Sequence, residues 1–196
     1  MIIKRQTKIV TLIASLVLLC SCSSSPELQS NYYLLSQPEL IENVEHNIIT
    51  NNGMKGKLLL TLSLADYLKQ PNIVLQKEDK SIYYAHSHLW AEPLEGAVIK
   101  AIMSDFNNMN SNSILVVNSQ EEPLDELHIQ IDYFHVSELS EVILAGSFSL
   151  ISMSEHSLVT HKKFYLKDKL EADGYGHSIV KMRGLLNELT HKLKVD

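Results

Sequence analysis

Cysteine is nearly absent from this chain of 196 residues: there are two, Cys20 and Cys22, both close to the start. Everything after them lacks thiol and disulfide, so the folded part depends on its own core. Positive charge is scarce as well. The sequence holds 23 acidic residues against 17 lysines and arginines, and three of those bases, Lys4, Arg5 and Lys8, stand in an opening stretch that has no acid. With those three set aside, fourteen bases face 23 acids, a formal charge of −9. Nucleic acid is thereby excluded as a partner, because binding it needs a basic footprint that displaces counterions.

A membrane-spanning run is also missing. The apolar stretch Ile9 to Leu19 is interrupted by Thr11 and Ser15, and it falls well short of the roughly 20 residues that cross hydrocarbon. Catalytic signatures are lacking too: the sequence contains no Gly-x-Ser-x-Gly elbow, His-Glu-x-x-His helix or P-loop. Its nearest approach, Ala145-Gly146-Ser147-Phe148-Ser149, falls inside a predicted strand rather than at a strand-to-helix turn. Glu121, Glu122, Asp125 and Glu126 flank Pro123 and read as a solvated loop, not as carboxylates opposed across a substrate. His86 and His88, two apart on a predicted strand end, share a face, but no third ligand stands at supporting spacing. Neither an enzyme, a cofactor nor a metal is expected.

What is present begins with an address. A basic segment, an apolar segment and then a small residue before a cysteine form the layout of a secretory leader. Leu19-Cys20-Ser21-Cys22 resembles the bacterial lipobox, with Ser21 in the slot before the acylated cysteine. Cys20 is preceded by the bulky Leu19, which leaves Cys22 as the expected lipidation site and mature N-terminus. One acyl chain holds a membrane only marginally and several hold it stably. Ser23 stands where an Asp would mark inner-membrane retention, so the resemblance implies the periplasmic face of the outer membrane. The expected organisation is a leader over 1–21, a lipidated tether over 22–30 and one domain over 31–196, a length suited to a single core.

Within that domain, Tyr32-Tyr33-Leu34-Leu35 reads as a short strand. Ile41 to Gly56 is Asn-rich and ends in glycines, as a loop would be. Leu58 to Leu64 is predicted as a strand buried on both faces. Asp66 to Gln70 before Pro71 is predicted as a turn or a single helical turn. Ile73 to Gln76 and Ser81 to His86 form a predicted hairpin across the charged turn Lys77-Glu78-Asp79-Lys80. Pro93 opens a helix with Leu94, Ala97, Val98, Ala101, Ile102 and Phe106 on one face. After a strand from Ile114, Leu127, Ile129, Ile131 and Tyr133 alternate with polar residues, which puts those four on the core side. Val142 to Ile151 and Leu158 to Leu166 complete an antiparallel meander. A last amphipathic helix runs from about Gly176 to Leu193, with basic residues at its C-terminal end.

Four segments in this order, Tyr32-Tyr33-Leu34-Leu35, Asp66-Tyr67-Leu68 with Pro71-Asn72-Ile73-Val74, Leu89-Trp90-Ala91-Glu92-Pro93-Leu94, and Asp173-Gly174-Tyr175, resemble the PqiC/YmbA family of ABC-type transport auxiliary lipoproteins. That family usually carries a proline where this chain has Ala65 and often an Asn where it has His88. The resemblance implies an α/β domain, a mixed sheet with two main helices packed on it, similar to the amino-terminal domain of TolB. It further implies a lipoprotein that docks a periplasm-spanning MCE protein at the outer membrane for lipid transport and envelope integrity. A homo-oligomeric ring would suit that role. The rival reading is a structural envelope lipoprotein without a part in transport. Candidate partner-binding residues are Tyr67 and Leu68, expected to be exposed in a proline-bounded turn, and Trp90. A lone Trp beside a helix start is more often a core plug than an interface anchor.

Overall fold

The computed structural model describes residues 29–36, 56–109, 113–118 and 125–193. The expected leader, Cys22, most of the tether, nearly all of the Asn-rich loop, and Glu121 and Glu122 lie outside these. Among the described residues, eight strands and two helices follow in the order β1 (Asn31–Tyr33), β2 (Gly56–Leu64), a 3-10 turn (Asp66–Lys69), β3 (Asn72–Gln76), β4 (Ile82–Trp90), α1 (Leu94–Asn108), β5 (Ser113–Val116), β6 (Asp125–Ser137), β7 (Glu141–Ser152), β8 (Ser157–Lys169) and α2 (Tyr175–Lys192).

The long strand β6 organises the mixed sheet. Along one edge it pairs antiparallel with β7, which pairs in turn with β8. The other edge is shared. Leu58–Leu64 of β2 run parallel to its first half, and β3 meets its far end at Val136 and Ser137. β5 extends the sheet beyond β2, while β4 and then β1 extend it beyond β3. Both helices pack on the sheet and on each other, α1 against β2 and β5, and α2 against β6, β7 and β8. Their predicted stripes are the buried ones: Leu94, Ala97, Val98, Ala101, Ile102 and Phe106 on α1, and Ile179, Met182, Leu185, Leu186 and Leu189 on α2. Each large side chain among them contributes roughly 1.5–3 kcal/mol by leaving water. A guanidinium fork from Arg183 to the Asp105 carboxylate, 2.6 Å at Nη1, ties α2 to α1.

Three expectations are corrected by this packing. β2 is not buried on both faces: Leu58, Leu60, Leu62 and Leu64 enter the core, whereas Leu59, Thr61 and Ser63 between them stay partly exposed. The reason is the layering, since the helices pack where those four leucines point. Leu68 is not exposed in its turn but is 1% accessible and part of the core, because the tight 3-10 turn directs it under α1. β4 does not stop at His86 but runs on to Trp90, which is buried as the core-plug reading has it, its backbone N–H donating to the Pro71 carbonyl at 2.7 Å.

A fourth correction concerns β6. Alternation puts Tyr133 on the core side, yet it is 49% exposed. The ladder with β7 is regular up to Ile131↔Gly146 and resumes at Tyr133↔Ala145, so Asp132 is an extra residue and the strand bulges. A one-residue insertion reverses which side chains face inward. Hence Leu127, Ile129 and Ile131 are buried before it, and Phe134 and Val136 after it. Gly146 permits the bulge. A Cβ there would lie 2.0 Å from the Gln130 carbonyl oxygen, which leaves room for no other residue.

Candidate docking groove

Residues far apart in the sequence converge where β1, the end of β4 and the start of α2 meet. β1 lies parallel to β4 with Tyr33 opposite Trp90, and the Ala91 N–H donates to the Tyr33 carbonyl at 2.8 Å. The Tyr33 hydroxyl hydrogen-bonds His88 Nδ1 at 2.8 Å, and the His88 ring stacks on Tyr175 with centroids 3.8 Å apart. Gly174 precedes Tyr175 at φ 108°, a conformation that side-chain-bearing residues rarely adopt. This turn aims the Tyr175 ring back at β4, and burial raises its hydroxyl above the usual range.

Beside this aromatic cluster a groove of about 410 Å³ opens between the Tyr32–Leu35 segment and α2. Gly176, Ile179, Val180 and Arg183 form its helical wall. Its rim is apolar, with Tyr32 66%, Leu34 47% and Val180 67% exposed. The guanidinium at its base is already neutralised by Asp105. Such a recess can bind an apolar or extended group; its described lining pairs no nucleophile with a base. Of the sequence candidates, only segments containing Trp90 and the tyrosine pair reach its neighbourhood, and the Trp90 side chain itself faces the core.

Tyr67 and Leu68 sit elsewhere. The Tyr67 hydroxyl donates to the Asp132 carbonyl at 3.0 Å, inside the β6 bulge, and lies 3.0 Å from His135 Nδ1. Its single proton is spent on that carbonyl, so the His135 Nδ1–H must donate to the Tyr67 oxygen. Nε2 of His135 is then a bare acceptor, buried and without a hydrogen-bond partner. Burial lowers the His135 pKa to about 4, and it pushes the Tyr67 hydroxyl above the usual phenol range. Because the folded pKa lies below the unfolded value of roughly 6.5, the unfolded chain binds the proton more readily between those values. Stability from this group is therefore full above pH ~6.5 and declines as pH falls toward 4. Replacing His135 by Phe should flatten the fall in urea midpoint between pH 6.5 and 4.5, as chemical denaturation at three pH values would show.

His86 and His88 share β4, but His88 is engaged by Tyr33 and Tyr175, and no group of three metal-ligating side chains occurs among the described residues. Ser147 lies inside β7, as expected. Its neighbour Ser149 contacts His161 Nδ1 at 2.8 Å on an exposed strand surface, away from any strand-to-helix elbow. Asp125 and Glu126 belong to β6 and not to a loop; Asp125 accepts from the Met153 N–H at 3.1 Å and Glu126 from the Thr61 hydroxyl at 2.7 Å.

Two of the four segments that carry the family resemblance supply Tyr33 and Tyr175 to the aromatic cluster, and a third pairs with β1 through Leu89 and Trp90; a direct comparison agrees. The model of the ABC-type transport auxiliary lipoprotein component family matches residues 53–193. The chain belongs to that family. It is 22% identical over 173 residues to the intermembrane transport lipoprotein PqiC of Escherichia coli (strain K12), covering 87% of each chain. The same protein from Shigella flexneri matches equally. Among solved structures, an uncharacterised protein superposes with TM-score 0.70 at 19% identity, over 84% of this chain and 96% of the other. A Xanthomonas campestris protein does so with TM-score 0.62 at 14% identity, over 70% and 80%. These two likenesses establish the fold.

The two departures from the family pattern have local explanations, one just before the 3-10 turn and one at the aromatic cluster. The Ala65 N–H donates to the Ile131 carbonyl at 2.9 Å, a bond that the proline usual in the family cannot make. At the other position His88 supplies both a ring to stack on Tyr175 and an Nδ1 for Tyr33.

Proposed function

We propose that this chain is the outer-membrane lipoprotein subunit of an MCE-type intermembrane transport system. In this reading residues 1–21 are a leader removed on export, and Cys22 carries the acyl chains. Residues 22–30 tether the domain to the periplasmic face of the outer membrane. The domain holds the periplasm-spanning MCE protein at that membrane, so that hydrophobic cargo passes between the two membranes. It performs no chemistry of its own.

The family match over residues 53–193, on a chain whose Leu19-Cys20-Ser21-Cys22 resembles a lipobox, is the observation that supports this most. The relatives named as intermembrane transport lipoproteins fit it. No helix among the described residues is long and apolar enough to cross a membrane. Co-purification is the test: lipoprotein extracted from membranes in mild detergent should bring an MCE-domain protein with it. Recovery of the lipoprotein without one would count against the reading.

A further inference from the structure

Strand β8 is the long free margin of the sheet. It spans Ser157–Lys169, thirteen residues, and pairs on one side with β7 and on the other with no strand among those described. The margins β1 and β5 have three and four residues. β8 also carries charge opposite in sign to that of the chain. Lys162, Lys163, Lys167 and Lys169 are four of the fourteen bases beyond the leader. Lys167 is engaged by Glu141 at 2.9 Å, and the strand's one acid, Asp168, by Lys181 at 3.1 Å. Lys162, Lys163 and Lys169 have no acidic partner within 4 Å among the described residues. Exposed apolar side chains share the strand, Leu158 (61%) and Val159 (56%) ahead of the lysines and Tyr165 (63%) among them.

Lysines on a free edge repel a second copy of the same edge, which protects against self-association. The same charges favour an acidic strand, and the unpaired backbone groups offer it a ready ladder. We propose that β8 accepts an extended, acidic segment of the periplasmic transport partner by strand addition. This names the contact surface for the docking role and rests on that reading. An anionic membrane fits the surface less well. Lys162 lies on the face of the strand that carries buried Phe164 and Leu166, whereas Lys163, Lys167 and Lys169 lie on the opposite face. Hydrocarbon cannot satisfy the free backbone ladder of this margin, whereas an added strand completes it.

The experiment uses the full lipoprotein in detergent and the purified periplasmic part of the MCE protein encoded with it. Binding should protect the β8 amides from hydrogen exchange in the unmodified protein. The triple variant Lys162→Glu, Lys163→Glu, Lys169→Glu should bind at least tenfold more weakly, while Lys77→Glu with Lys80→Glu at the β3–β4 turn should stay within twofold. Unchanged β8 exchange on binding, or full affinity in the triple variant, would overturn the proposal. If the unmodified protein binds no MCE protein, the docking role fails, and a ten-residue peptide alternating Glu and Val then tests the edge alone. Protection of β8 by that peptide, and not by its Lys-Val counterpart, supports strand addition. Absence of protection, or charge-dependent binding to vesicles of phosphatidylethanolamine and phosphatidylglycerol in its place, refutes it.

Discussion

Replacing Gly146 by alanine should cost at least about 3 kcal/mol of folding stability, a large share of the roughly 5–15 kcal/mol that holds a domain together. The new Cβ would sit 2.0 Å from the Gln130 carbonyl oxygen and 3.1 Å from the Ile131 Cα, both backbone atoms that no rotamer change can move. Relief would require β6 and β7 to separate at the bulge. The register on both sides, and with it the burial of Leu127, Ile129, Phe134 and Val136, depends on that spot. Gly184 supplies the control. It lies within α2, and an added Cβ meets nothing within 4 Å. Alanine there should stabilise by up to about 1 kcal/mol through helix propensity. Urea denaturation of the two variants checks both signs, and an unchanged midpoint for Gly146→Ala would mean that the bulge is placed wrongly.

The second large effect is on attachment. Cys22→Ala should abolish incorporation of labelled palmitate completely, whereas Cys20→Ala should leave it intact, because Ser21 and not Leu19 fits the slot before the modified cysteine. The intact mass of the purified protein should correspond to a chain starting at Cys22 with its acyl groups. Labelling that survives Cys22→Ala, or disappears with Cys20→Ala, would move the anchor. The position matters for mechanism. From Cys22 to Asn31, where β1 begins, an extended chain reaches at most about 30 Å, so an anchor at Cys22 would keep the domain close to its bilayer.

Much of this fold is visible in the sequence, and the exceptions share a cause. The β3–β4 hairpin, the β6–β8 meander and both helix stripes follow from local periodicity and turn chemistry, and they appear nearly where expected. Tyr133 goes astray because a bulge is a property of two strands: its trace in the sequence is Gly146, thirteen positions away and meaningful only once the register is known. Leu68 goes astray because a 3-10 turn sends consecutive residues to different sides, so Tyr67 reaches the bulge while its neighbour enters the core. His135 is one of nine histidines, and nothing local marks it as the one sealed under a tyrosine. The groove has no local signal either. Tyr33, His88 and Tyr175 are drawn from both ends and the middle of the domain, and only the family resemblance of their segments points to them. Legibility ends where pairing between distant segments begins.

The central claim, a lipid-anchored subunit that holds an MCE protein at the outer membrane, is tested most directly by co-purification across separated membranes. Outer membranes from cells making the lipoprotein, solubilised gently and captured through it, should yield the MCE protein encoded with it, and outer membranes from cells lacking the lipoprotein should contain little of that MCE protein. An MCE protein equally abundant in the outer-membrane fraction with and without the lipoprotein, and absent from the captured material, would contradict the account.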